Sequence, residues 1–440
     1  MANKYAKVNT IIPGNKSRAV LEQWRNNEAD KLGYQAAVAL ERGEGAMLFD
    51  VDGNAFHDWT SGVLVANIGH AHPKLTAAIS EAASKFLNVY EFINPYRAQA
   101  AEDLVKAAPK HLDCCFFTST GSEATDTAAR LMKKITGKFE IVSMFGGFHG
   151  RTIATAGLGG LSKIKAKMGP MVAGSLRVPY PYCYRCPFRQ KKETCGFLCL
   201  EFWDDIIRAN SSDSMAGLIM EPYQGSAGFL FPPDGFLPLV EKWARGKGML
   251  FAIDEVQSAY GRTGWQWASD REGLKPDIIT VGKGIGCGVP VAALLLKKDQ
   301  IKDLGRGDLG STYGGNPVSC AAVSVVLKIM KEEDIIANVK RIEKIFLKRL
   351  KEIEEKSKFA GEIRGRGLVY GIELVNDKST KEPSPEKTRM LIDICAQNGL
   401  LVGSVGTFGN VIRVAPPLII NEEQAYESLD IMEACIKELT

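Results

Sequence analysis

Several kinds of sequence feature are missing from this chain, and each absence excludes a class of protein. No apolar run approaches the roughly 20 residues that span a bilayer, and the opening stretch from Met1 to Arg25 is polar, without an apolar segment of signal-peptide length. No block of like charge stands out: 55 basic and 51 acidic residues are spread over 440 positions, for a formal charge of +4. The longest basic runs are short (Arg189 with Lys191 and Lys192; Lys297 with Lys298), so the charge pattern describes a solvated surface and not a nucleic-acid or membrane face. There is no internal repeat and no low-complexity tract. Ten cysteines without a secretion signal fit a reducing compartment, and a cytoplasmic location is expected.

What is present is a mixed α/β texture, 45% hydrophobic and 24% charged. The length suits one large domain with a smaller one appended, and such a chain buries a large core without disulfides or metals as staples. Met47 to Val51 and Ala55 to Trp59 alternate around Asp52-Gly53-Asn54, predicting a β-hairpin. From about Gly69 short apolar strands precede amphipathic helices. Cys114 to Phe117, Ile141 to Met144, Leu218 to Met220, Met249 to Ile253 and Ile278 to Val281 are expected as buried strands, and Glu123 to Ile135 as a helix. Continuous apolar strands alternating with helices predict a mostly parallel sheet covered on both faces. Further helices are expected over 317–329, 334–357 and 421–439, with strands at Leu368 to Leu374 and Val411 to Val414. The expected division is an N-terminal segment 1–68, a large domain 69–325 with a cysteine-rich insert 182–200, and a small α+β domain 326–440.

In open α/β sheets the ligand crevice lies outside the carboxyl ends of the strands. The residues just past each predicted strand are Ser119-Thr-Gly-Ser-Glu-Ala124, Gly146-Gly-Phe-His-Gly-Arg151, Glu221-Pro-Tyr-Gln-Gly225, Asp254-Glu-Val-Gln257 and Gly282-Lys-Gly284. Lys283, flanked by glycines, is placed to act as an amine nucleophile toward a cofactor aldehyde; taken alone, a surface lysine after a strand is the commoner case. Asp254 ends an apolar strand, where a carboxylate needs a cation: either a protonated pyridine nitrogen or a salt bridge, with Arg262 nearby in sequence. Thr120-Gly-Ser122 before a helix suits phosphate, although ordinary capping uses the same residues. Phe148 alone is more often core than a stacking platform.

Taken together these segments resemble the class III, or ω-amino-acid, aminotransferases. Asp58-Trp-Thr-Ser-Gly62, Gly69-His-Ala-His-Pro73, Gly261-Arg-Thr-Gly264 and Gly310-Ser-Thr-Tyr-Gly-Gly-Asn-Pro317 extend the match in the same order over nearly the whole chain. The resemblance implies a pyridoxal-5′-phosphate (PLP) enzyme of fold type I, with Lys283 carrying the cofactor as a Schiff base. It implies that Gly121 and Ser122 bind the phosphate, that Phe148 stacks on the ring with His149 beside it, that Asp254 pairs with the ring nitrogen and that Gln257 bonds the ring oxygen. Thr312 would reach the phosphate of a neighbouring subunit, so a homodimer with shared sites is expected.

For substrate, Arg151 matches the family position that binds the distal acid group of 4-aminobutyrate, and Arg413 the one that binds the α-carboxylate of the keto acid. A planar guanidinium suits a carboxylate. The chain departs from the 4-aminobutyrate pattern at Ser226, where an acid that masks the second arginine usually stands. The expected reaction moves an amino group from an ω-amino acid (4-aminobutyrate, β-alanine or taurine type) to 2-oxoglutarate or pyruvate. The alternative is an amino-acid racemase or epimerase on the same scaffold. No metal is assigned to catalysis; Cys183, Cys186, Cys195 and Cys199 could hold a structural metal, and the sequence leaves that open. The remaining cysteines read as core filler.

Overall fold

The computed structural model describes residues 3–33 and 35–439. Two compact units emerge from the contacts. The larger runs over Lys74–Tyr260 and Trp265–Glu332, and the other gathers Met1–Pro73, Gly261–Gly264 and Glu333–Thr440.

The larger unit is organised by a seven-stranded sheet. Its strands are β1 (Cys114–Thr118), β2 (Glu140–Met144), β3 (Ser175–Val178), β4 (Met215–Met220), β5 (Leu250–Asp254), β6 (Ile278–Val281) and β7 (Ala292–Leu296), in the spatial order β1-β7-β6-β5-β4-β2-β3. Pairings from β6 through β5, β4 and β2 to β3 are parallel, while β7 is antiparallel to both its neighbours. Every residue of β2, β4, β6 and β7 is buried, which is why these strands are mostly apolar instead of alternating. Both faces carry an apolar core. One joins Val142, Leu218, Phe251, Trp203 and Phe236; the other joins Ala128, Leu131, Met132, Ile219, Ala252 and Leu294.

Trp203 is fully buried, crosses Trp243 edge-on with ring centroids 5.1 Å apart, and donates its indole N–H to Pro179 O at 2.9 Å. Trp203→Ala is expected to destabilise the protein by about 3–5 kcal/mol through the cavity it leaves, read as a lower urea midpoint.

The other unit contains the expected hairpin. Met47–Asp50 pairs antiparallel with Ala55–Asp58, and Leu400–Leu401 adds to it in parallel. A second four-stranded sheet joins Ala360–Arg366, Val369–Leu374, Val411–Val414 and Gly403–Val405, with helices Ile335–Lys356 and Glu422–Lys437 in the same unit. Among the described residues no helix is long and apolar enough to cross a membrane.

Most predicted strands and helices stand within a few residues of their expected bounds. Six strands were not anticipated: Leu40–Glu44, β3, β7, Ala360–Arg366, Leu400–Leu401 and Gly403–Val405. β7 is an apolar run whose composition fits strand or helix equally. Ala360–Arg366 carries two glycines and two arginines and becomes a strand through pairing with Val369–Leu374.

Candidate active site

β1, β2, β4, β5 and β6 deliver their carboxyl ends to one cleft, of about 710 Å³ counting the space open to solvent. Thr120, Gly121, Ser122, Phe148, His149, Glu221, Tyr223, Ser226, Asp254, Val256, Gln257 and Lys283 line it. After β1 the chain turns into helix α1 (Gly121–Thr136), where the Thr120 side chain caps the helix by accepting from Glu123 N–H. Gly121 and Ser122, in the first turn of that helix, line the cleft, and the N–H groups that a helix's first turn leaves unmade suit phosphate. A Cβ on Gly121 would lie 2.9 Å from Val256 Cγ1, so only glycine lets the turn pack this closely.

Asp254 closes β5 at 5% exposure. Its Oδ2 lies 2.7 Å from His149 Nδ1, while Oδ1 accepts from Val256 N–H and from Thr280 Oγ1–H, each at 3.1 Å. The Arg262 guanidinium donates to Leu368 O, Pro416 O and Asn67 Oδ1. Burial pulls the His149 imidazolium down, but the hydrogen bond and charge of Asp254, with the charge of Glu221, more than offset it and leave His149 easier to protonate than usual. Its Nε2 is buried without a hydrogen-bond partner among the described residues, as is Gln257 Oε1. Buried polar atoms are seldom left unmade, so two orphans on one cleft mark the place of a polar ligand.

Lys283 follows β6 at the start of a short 3₁₀ turn, Lys283–Ile285, half-buried and with φ of 50°. A non-glycine residue in the left-handed region is strained, and such strain collects at functional sites.

Glu221, the residue after β4, was noted in the sequence only as part of a motif. It is buried, accepts from Phe148 N–H at 2.9 Å through Oε1 and from Gly225 N–H at 3.1 Å through Oε2. Burial and the neighbouring Asp254 raise its carboxyl to about 7, against the opposing pull of His149 and the two N–H donors.

The structure thus gathers Gly121, Ser122, Phe148, His149, Asp254, Gln257 and Lys283 around one cleft. Arg151 and Thr312 are exposed and do not line it; Arg151 N–H donates to Ser122 Oγ at 3.3 Å, and the neighbouring Ser311 Oγ–H to Glu123 Oε1 at 2.6 Å. Arg413 belongs to the other unit, on Val411–Val414, and is 3% exposed. Its Nε is buried without a partner, no carboxylate among the described residues pairs with it, and burial brings the guanidinium down to about 10 against the charge of Asp58.

Cys183, Cys186, Cys195 and Cys199 line a separate apolar cavity of about 370 Å³. No disulfide joins them, and among the described residues no three His, Cys, Asp or Glu side chains are arranged to hold a metal ion.

The family profile described as "Aminotransferase class-III" matches residues 30–436. A probable 4-aminobutyrate aminotransferase of Bacillus subtilis is 33% identical over 405 residues, covering 90% of this chain and 92% of its own. An alanine/serine racemase of Pyrococcus horikoshii is 32% identical, covering 99% and 93%. Among solved structures, an amine transaminase from an uncultivated Pseudomonas species in its PLP-bound form superposes with a TM-score of 0.88 at 28% identity, over 94% of this chain and 99% of that one. The chain belongs to the class III aminotransferases, enzymes that use PLP.

Proposed function

We propose that this PLP-dependent class III aminotransferase takes the amino group from an amine donor of the ω-amino-acid type and delivers it to an α-keto acid. The observation that carries the acceptor half is Arg413: a buried guanidinium without an acid partner is costly and is the kind of group that receives a carboxylate.

The bound cofactor supplies an aldehyde that takes up the amino group and a ring that stores the electron pair released with the proton. Lys283 holds that aldehyde at rest. Once freed, its Nζ would receive the proton from the amine-bearing carbon and return it to the carbon on the far side of the nitrogen, so a single base would serve both transfers. Asp254 keeps the proton on the ring nitrogen, and His149, fixed through Nδ1, keeps the Asp254 carboxylate in place. The N–H groups of Gly121 and Ser122 hold the phosphate, Phe148 covers the ring face, and the Gln257 amide meets the ring oxygen. Thr312, exposed, is assigned to the phosphate of a second subunit in a homodimer.

Arg151 is assigned to the distal acid group of the donor, with 4-aminobutyrate, β-alanine and taurine as the candidates. Ser226 lines the cleft at the sequence position where 4-aminobutyrate aminotransferases usually carry an acid, which widens the acceptors from 2-oxoglutarate to pyruvate. Arg413→Leu is expected to raise KM for the keto acid by roughly 10²-fold, the value of a lost charge-assisted pair, while the donor half-reaction changes little. Arg151→Leu is expected to penalise donors with a distal acid group and spare amines without one. Steady-state kinetics over a donor set against both keto acids reads both effects. Equal losses for every donor would sink the Arg151 assignment.

Racemisation on the same residues is the second reading, favoured by the racemase among the relatives. Lys283 would then return the proton to the opposite face of the same carbon. Loss of optical activity from a single amino acid without added keto acid would establish it.

A further inference from the structure

We propose that Glu221 is a positioning residue of the cofactor site, its carboxylate tying the segment that carries Phe148 to the segment that carries Ser226. The proposal rests on the cofactor and is independent of which amine is used.

Two loops meet at this side chain. One leaves β2 and brings Phe148 and His149 to the cleft; the other leaves β4 and brings Tyr223 and Ser226. Glu221 accepts one backbone N–H from each, from Phe148 at 2.9 Å and from Gly225 at 3.1 Å. A second, uncharged tie runs alongside, since Gln224 Nε2–H donates to Phe145 O at 2.7 Å. The second loop also seats against the residue assigned to the ring oxygen: a Cβ on Gly225 would lie 1.9 Å from Gln257 Oε1. Shifting Gly225 therefore shifts both the Gln257 contact and the Ser226 wall, while releasing Phe148 N–H loosens the ring-stacking side. One carboxylate governs two walls.

A carboxylate that accepts two N–H bonds holds them roughly twice as strongly as a neutral carboxyl does. The groups facing Glu221 are His149 and Asp254, with Lys283 on the same cleft. Because burial and Asp254 raise Glu221 to about 7, the charged clamp is complete above neutral pH and weakens below it. A ring cation bound at Asp254 favours ionised Glu221, and by linkage ionised Glu221 favours the ring cation to the same degree. Cofactor affinity should therefore carry a pH dependence that belongs to Glu221 and not to the cofactor.

The test titrates the apoprotein with PLP, followed by the visible absorbance of the bound form, between about pH 6 and pH 8. Wild type, Glu221→Gln, Glu221→Asp and Gln224→Leu are compared. Relative to Glu221→Gln, wild type should gain roughly an additional tenfold in affinity across that range, the difference between charged and neutral acceptance. Glu221→Asp, which keeps the charge, and Gln224→Leu, which removes only the neutral tie, should bind more weakly than wild type but keep its slope. A Glu221→Gln profile parallel to wild type would overturn the proposal, since a merely structural role lowers the melting temperature without touching the slope. Should Glu221→Gln fail to fold, Glu221→Ala takes its place: a slope flatter than wild type supports the clamp, and a slope parallel to wild type refutes it.

Discussion

Lys283→Ala is expected to lower the rate of amino transfer by at least roughly 10⁴-fold, because one substitution removes both the covalent anchor and the base. Lys283 occupies a strained position at the end of a fully buried strand, between Gly282 and Gly284, on a cleft shared with Asp254 and His149. No other lysine among the described residues lines that cleft, so no second amine stands ready to take over. Lys283→Arg should be as inactive, since a guanidinium keeps the charge but neither condenses with an aldehyde nor accepts a proton near neutral pH. Adding a small primary amine should restore part of the Ala variant's rate, which separates lost chemistry from lost folding. Activity within tenfold of wild type would remove the lysine from the mechanism.

Asp254→Asn should follow, with a loss of about 10²–10³-fold, comparable to deleting one preorganised electrostatic partner from an active site. The shape is kept, and Thr280 and Val256 still have an oxygen to bond. The charge is not kept. In a water-poor setting a carboxylate stabilises a ring cation far more than an amide dipole does, and an unprotonated ring stores the carbanion's electron pair poorly. His149 loses its ionic partner at the same time, so its imidazolium should become easier to deprotonate. Asp254→Glu should not rescue the rate, because Asp254 is held by three hydrogen bonds that a longer side chain displaces. A kcat for Asp254→Asn near wild type, with PLP saturating, would mean that the ring nitrogen does not depend on this acid.

Much of the cleft could be read from the sequence because each of its residues stands directly after an apolar strand. Phe251-Ala-Ile253 announces Asp254, and Ile278 to Val281 announces Lys283; strand direction then carries both to the same edge. Glu221 is different. Its position in a motif was visible, and its bond to Gly225 spans only four residues, but its bond to Phe148, 73 residues away, depends on β2 and β4 being neighbours. Nothing local encodes that pairing. The reverse holds for Arg151, whose motif is plain but whose side chain stands exposed outside the cleft, so a chemistry-bearing residue type at a familiar spacing did not by itself settle location. Among the strands, β7 stayed hidden because an apolar run carries no period to tell strand from helix. Its antiparallel direction is a property of the assembled sheet.

The account stands on one covalent attachment, and peptide mapping after hydride reduction tests it most directly. Protein saturated with PLP is reduced with borohydride, digested and sequenced by mass spectrometry. The expected result is one cofactor adduct, on the peptide containing Gly282-Lys283-Gly284, and its absence from Lys283→Ala. An unmodified Lys283 peptide in the saturated wild-type protein, or an adduct on another lysine, would contradict it.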